Sequence, residues 1–135
     1  MYDRVLIATD GSSHAERALA EAIEIVRRFD AELYVLSVVD DRLARSAATE
    51  ETYREIAERA LRVAERETAV GGIGVTTAVK KGSPPAEILD YAADVGADLV
   101  VVGNKGRSGL DRFVVGSVAE RVVRGAKSSV LVVRS

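Results

Sequence analysis

The chain lacks cysteine and tryptophan, and among its 135 residues it has only two prolines, two phenylalanines and one histidine. The absence of cysteine excludes disulfides, thiolate metal sites and cysteine nucleophiles, and it fits a reducing cytoplasm, where we expect the protein to stay. No apolar run approaches the ~20 residues of a membrane span, and the N-terminal segment lacks the long apolar stretch of a signal peptide. We therefore expect no membrane association.

The chain also lacks a marked excess of charge. Nineteen basic and twenty-one acidic side chains give a formal net charge of −2. No basic run is long enough to form an electrostatic footprint for nucleic acid, so nucleic acid is not an expected partner. A length of 135 residues with 47% hydrophobic residues predicts one domain spanning residues 1–135.

Short β-rich runs alternate with longer helical patterns, and this alternation predicts a parallel α/β fold. The predicted strands are 4–9, 33–39, 75–80, 99–102 and 130–134, and the predicted helices are 13–29, 49–70, 84–95 and one that begins near Ser117. Phe29 is expected in the buried stripe of the first helix, and Thr49 is expected to cap the second. These elements predict a single doubly wound, five-stranded parallel sheet with helices on both faces.

Glycines mark the segment after the fourth strand, with Gly103 and Gly106 at its start and Gly116 directly before Ser117. Glycine lets backbone N–H groups turn toward an anion, and a helix start offers unpaired donors with partial positive charge, so this segment predicts a phosphate site. Valine at Gly106 or Gly116 is expected to abolish binding by blocking this approach and by resisting a positive φ. The alternatives are a surface loop without ligand and a simple capping role for Ser117.

Asp10 directly follows the first strand. If the first and fourth strands flank the point where the winding reverses, Asp10 and Gly103 face each other across one cleft at the carboxyl edge of the sheet. A carboxylate in that place suits a metal ion bound to phosphates. The alternative roles for Asp10 are to cap the first helix or to stabilise a turn through Gly11.

Three segments resemble the universal stress protein (UspA-like) family, and more specifically its ATP-binding branch. They are Ala8-Thr9-Asp10-Gly11-Ser12, Gly82-Ser83-Pro84 and Gly103-x2-Gly106-x9-Gly116-Ser117. The resemblance covers essentially the whole chain. Two positions depart from it: Ala8 stands where Pro or Val is frequent, and Ser128-Ser129 stands where Cys-Pro is frequent.

The resemblance implies ATP and Mg²⁺ as ligands, a role in the stress response, and the Rossmann-like fold of the adenine nucleotide alpha hydrolases. It places Asp10 near the phosphates and their metal, and Thr9 belongs to the same segment. The other residues that it implies are Ala8 and Val38 around the nucleoside, Val102 and Gly103 along the ribose and adenine, and Gly106, Gly116, Ser117 and Val118 at the phosphates.

Catalytic machinery is not evident in the sequence. His14, the only histidine, is expected to be a solvated side chain rather than a general base. There is no Gly-x-Ser-x-Gly elbow and no Gly-x-x-x-x-Gly-Lys-[Ser/Thr] loop. We therefore expect a nucleotide-binding module with no catalytic residue and at most slow ATP hydrolysis. A pyrophosphatase-like or nucleotidyl-transfer enzyme and a nucleotide-free interaction protein are the alternatives.

The last predicted strand contains four consecutive apolar residues, 130–133. The resemblance implies that this strand lies at the sheet edge, where it would leave backbone groups and apolar side chains exposed unless another chain pairs with it. We therefore expect a homodimer through the C-terminal strand. The alternative is an ordinary buried strand whose outer edge is blunted by Arg134 and loops.

Overall fold

The computed structural model of the chain describes residues 1–105 and 116–134. In this part of the chain, five strands alternate with four helices. In chain order they are β1 (Arg4–Ala8), α1 (Ser13–Phe29), β2 (Glu32–Asp40), α2 (Ala47–Val70), β3 (Val75–Gly82), α3 (Pro84–Val95), β4 (Leu99–Gly103), α4 (Ser117–Gly125) and β5 (Ser129–Val133).

All five strands are parallel and form one sheet in the order β3-β2-β1-β4-β5. The predicted doubly wound sheet is thus confirmed, and the winding reverses between β1 and β4, as the placement of Asp10 and Gly103 assumed. At such a reversal the connections leave the two neighbouring strands in opposite directions and open a crevice beyond their carboxyl ends.

Successive residues of the central strands point to opposite faces of the sheet, and each face is covered by a pair of helices. Val5 and Ile7 of β1 pack on one face with residues of α1 and α2. Leu6, between them, packs on the other face with Ile88 of α3 and Val122 of α4. Because both faces are buried, β1 reads as a continuous apolar run rather than an alternating one.

Two expectations about local structure are wrong. The N-cap of α2 is Ser46, not Thr49: the Ser46 side chain accepts from the Thr49 N–H, and the Thr49 hydroxyl accepts from the Ser46 N–H at 3.0 Å. This reciprocal pair starts the helix three residues earlier than a cap at Thr49 would. Phe29 is 43% exposed because it is the last residue of α1, and its ring packs edge-on against Tyr2 instead of in the core.

None of the helices in residues 1–105 and 116–134 has both the length and the apolar character needed to cross a membrane.

Candidate functional site

A cleft of about 380 Å³ lies at the carboxyl edge of the sheet, over the reversal point between β1 and β4. All predicted site residues that the structure describes line this cleft: Ala8, Thr9, Asp10, Val38, Val102, Gly103, Gly116, Ser117 and Val118. The remaining one, Gly106, lies outside the described residues. The fold therefore brings distant parts of the sequence together at one place, and their contact with a ligand stays a prediction.

The turn after β1 holds Asp10 at the cleft. Its Oδ1 accepts from the N–H of Ser12 at 2.9 Å, and the Thr9 hydroxyl accepts from the N–H of Gly11 at 3.2 Å. Gly11 has a φ of 80°, which only glycine adopts readily. The capping alternative for Asp10 is wrong, because Ser12 is the N-cap of α1 and accepts from the Ala15 N–H. Asp10 does stabilise the turn, and this leaves its place at the cleft unchanged.

The two described glycines of the predicted phosphate segment lie where a side chain would be tightly packed. A Cβ at Gly103 would lie 3.3 Å from the carbonyl oxygen of His14, so a side chain there would push β4 and the start of α1 apart. A Cβ at Gly116 would lie 3.0 Å from the carbonyl oxygen of Asn104. The φ of Gly116 is −61°, so the expected positive φ is wrong for this residue and the steric reason remains. His14 itself is half-buried rather than fully solvated.

The first turn of α4 faces the cleft with uncapped backbone donors. Gly116 is the N-cap and makes no side-chain cap, so Ser117 is the first helical residue and the capping alternative for it is wrong. No described residue accepts from the N–H groups of Ser117, Val118 or Ala119. All three residues line the cleft. Such donors, together with the helix dipole, favour an anion at this end of the cleft.

The other described helices do not present such a start. Side chains of Ser12 and Ser46 cap α1 and α2. Helix α3 begins with Pro84 and Pro85, which carry no N–H. Among the described helices, α4 is thus the one that begins with neither a capping side chain nor a proline.

Asn104 is a cleft residue that the sequence analysis missed. It directly follows β4, is 2% exposed and lines the cleft. Its N–H donates to the carbonyl of Val133 at 2.9 Å, and its carbonyl accepts from the N–H of Gly116 at 2.6 Å. The backbone of Asn104 thus joins β4, β5 and the start of α4. The available signal was its position, a polar residue directly after a buried strand, which is also the position of Thr9 after β1.

The opposite end of the cleft lies beyond β2. Val38 is the only residue of this end that the sequence predicted. Leu43, Tyr53 and Ile56 give this end apolar walls. Asp40 and Arg42 border it, and the guanidinium Nη2 of Arg42 lies 2.9 Å from Oδ2 of Asp40. Hydrogen bonding to this guanidinium holds the pKa of Asp40 below its usual range. An apolar end with a charged rim suits the flat, mostly apolar body of a nucleobase.

The described residues include no group of three or more His, Cys, Asp or Glu side chains that could hold a metal ion. The cleft lining nevertheless includes Asp10, which carries a carboxylate, and Asn104, which carries an amide oxygen. Mg²⁺ usually takes one or two protein ligands and completes its shell with phosphate oxygens and water. This donor set therefore fits a phosphate-bound Mg²⁺.

Comparisons with known proteins agree with this architecture. The model of the universal stress protein family matches residues 1–134. The chain is 37% identical to universal stress protein MJ0531 of Methanocaldococcus jannaschii over 141 aligned positions, which cover 99% of this chain and 83% of that protein. The solved structure of protein MJ0577 superimposes with a TM-score of 0.89 at 29% identity, covering 100% of this chain and 97% of that one.

Two similar structures hold adenine nucleotides. One is a universal stress protein in complex with cAMP, which is 29% identical with a TM-score of 0.78 and covers 98% of this chain and 97% of its own. The other is the universal stress protein from Archaeoglobus fulgidus in complex with dAMP, which is 25% identical with a TM-score of 0.72 and covers 98% of each chain.

Proposed function

The chain belongs to the universal stress protein family, and we propose that its cleft binds ATP with Mg²⁺ and that the protein acts as a nucleotide-dependent regulatory module of the stress response. A cytoplasmic location is part of this proposal.

The first turn of α4 carries the proposal. Its three uncapped N–H groups belong to residues that line the cleft, and Lys105, which also lines it, adds a positive charge. A triphosphate chain supplies the anionic oxygens that such donors favour. The absence of a Cβ at Gly116 lets the start of α4 pack closely against Asn104 at the end of β4, and this close packing helps to keep these donors at the cleft.

The other end of the cleft supports a nucleoside next to the phosphates. Ala8 and Val38, the residues expected around the nucleoside, line the same cleft as the apolar walls beyond β2. The relatives in complex with cAMP and dAMP support adenine as the base. Asp10 would hold the Mg²⁺, whose charge offsets that of the phosphates.

We propose that the protein is a binding module rather than an enzyme with rapid turnover. Asp10 and Asp40 are the only carboxylates among the described residues that line the cleft, and the described lining contains no histidine. One Asp10 oxygen already accepts from Ser12, and Asp40 pairs with Arg42. We therefore propose at most slow hydrolysis.

We also propose a homodimer through β5. The strand lies at one edge of the sheet, and Val130, Leu131 and Val132 remain half-buried in the single chain. The opposite edge strand, β3, carries Lys80 and Lys81, which discourage pairing with another strand. An uncharged, apolar edge at β5 is the better surface for a second copy.

The nucleotide content of the purified protein tests the proposed function. Freshly purified protein is denatured, and any released nucleotide is identified by chromatography and mass spectrometry, followed by calorimetric titration of the nucleotide-free protein with ATP and Mg²⁺. We expect released ATP or saturable binding. A protein that carries no nucleotide and takes none up would be an interaction protein, and repeated turnover of ATP would indicate an enzyme.

A further inference from the structure

The side chain of Asn104 has an unusual environment within the cleft wall. It is 2% exposed, and its Oδ1 is the only buried side-chain polar atom without a hydrogen-bond partner in the described part of the chain. The backbone of Asn104 is fixed on both sides by its bonds to Val133 and Gly116. A buried acceptor without a partner is destabilising, so its presence in a binding cleft indicates that a ligand supplies the partner.

The chemistry of an amide oxygen limits what this partner is. A phosphate oxygen is itself an acceptor and cannot pair with Oδ1. The partner must therefore carry a proton to donate or be a cation. Asn104 accepts the N–H of the α4 N-cap through its backbone carbonyl and so belongs to the phosphate end of the cleft. At that end, the expected group other than phosphate is the metal ion.

The strand register relates Asn104 to Asp10. In the β1–β4 ladder Ile7 pairs with Val101, so Asp10 and Asn104 are each three residues beyond a paired position. Both residues line the cleft, one from each strand that flanks the reversal. A carboxylate and an amide oxygen are hard oxygen ligands of the type that Mg²⁺ prefers.

We propose that Asn104 helps to hold the nucleotide-bound Mg²⁺ across the cleft from Asp10, with Oδ1 either as a second protein ligand of the metal or as the acceptor of a hydrogen bond from a metal-bound water. This proposal rests on the proposed binding of ATP with Mg²⁺ and adds Asn104 to the residues that hold the metal.

The test compares ATP dissociation constants by calorimetry in Mg²⁺ and in EDTA, and their ratio measures the gain in affinity that the metal provides. Asn104→Leu has a similar size and lacks the oxygen. We expect its ratio to fall about 10-fold or more, as for the loss of a group that supports a metal. Its affinity in EDTA should stay close to wild type. The melting temperature of the free protein should not fall, because Oδ1 has no hydrogen bond to lose.

A second variant and a matched control make the test specific. Asn104→Asp keeps an oxygen and adds a charge that attracts Mg²⁺ but repels bare phosphate, so its ratio should rise above wild type. Thr68 is a buried polar residue at the far end of α2, where its hydroxyl donates to the carbonyl of Ala64 at 2.9 Å. Thr68→Val should leave the ratio unchanged.

Equal losses of affinity in both buffers for Asn104→Leu would show that Oδ1 meets the nucleotide itself, and this would overturn the metal role. An unchanged ratio would overturn it as well. If Asn104→Leu does not fold, an unchanged or lowered ratio for Asn104→Asp decides against the proposal. If the wild-type protein binds ATP in neither buffer, the proposed function is refuted. That result differs from one in which the wild-type protein binds ATP and the variants show the same Mg²⁺-to-EDTA affinity ratio as wild type, which refutes only the role of Asn104.

Discussion

Replacing Ser117 by proline tests whether the backbone of α4 binds the phosphates. Ser117 is the first residue of the helix, where proline is favoured because its missing N–H has no partner within the helix. The preceding Gly116 has φ −61° and ψ 155°, a conformation that is compatible with a following proline. The N–H of Gly116, which donates to the carbonyl of Asn104, is retained. Ser117→Pro therefore removes one cleft donor and leaves the helix intact.

The size of the effect follows from the type of hydrogen bond. A hydrogen bond from a backbone N–H to a charged group contributes about 1.5–3 kcal/mol. Because every 1.4 kcal/mol is a factor of ten in affinity, we expect ATP with Mg²⁺ to bind roughly 10- to 150-fold more weakly. The free energy of unfolding should stay within about 0.5 kcal/mol of wild type or rise slightly, since the proline also restricts the unfolded chain.

Calorimetric titration gives the affinity, and thermal melting of the free protein gives the stability. Ser117→Ala is the matched control, because it removes the exposed hydroxyl and keeps the N–H. If the backbone binds the phosphates, Ser117→Ala should bind more tightly than Ser117→Pro. Wild-type affinity in a folded Ser117→Pro protein would refute the argument, and an equal loss in both variants would assign the contact to the hydroxyl.

Three further predictions follow. Asp10→Asn, which keeps an oxygen for the turn, should weaken ATP binding more in Mg²⁺ than in EDTA, whereas equal losses by calorimetry would indicate a role in folding. Gly116→Ala should lower the free energy of unfolding by about 1–3 kcal/mol and weaken ATP binding, because its Cβ would lie 3.0 Å from the carbonyl oxygen of Asn104. Gly74→Ala is the control, since no atom lies within 4 Å of its Cβ, and equal melting temperatures of the two variants would contradict this reason. Val132→Lys should shift a β5-paired dimer toward monomer, because burying an unpaired charge is unfavourable; light scattering after size exclusion refutes the dimer if the wild-type mass is near 14.4 kDa at tens of micromolar.

The sequence by itself determined the elements and much of the cleft. The apolar runs of β1 and β4 and the helical spacings between the strands are local patterns, so the alternation of strands and helices followed from them. Asp10 and the glycines were recognisable because they directly follow a strand or precede a helix. The ends of β2 and β3 were harder to predict from the sequence. Their ladder continues to the pair Asp40 and Gly82, through polar residues that do not resemble a strand.

The tertiary structure decided what lies next to what. Strand order placed β1 beside β4, and only this put Asp10 and Asn104 in the lining of one cleft. The burial of Asn104 and the missing partner of its Oδ1 depend on the packing of β5 and α4 around it. No local pattern reports such contacts, because they join segments far apart in the chain and form only when the helices cover both faces of the sheet.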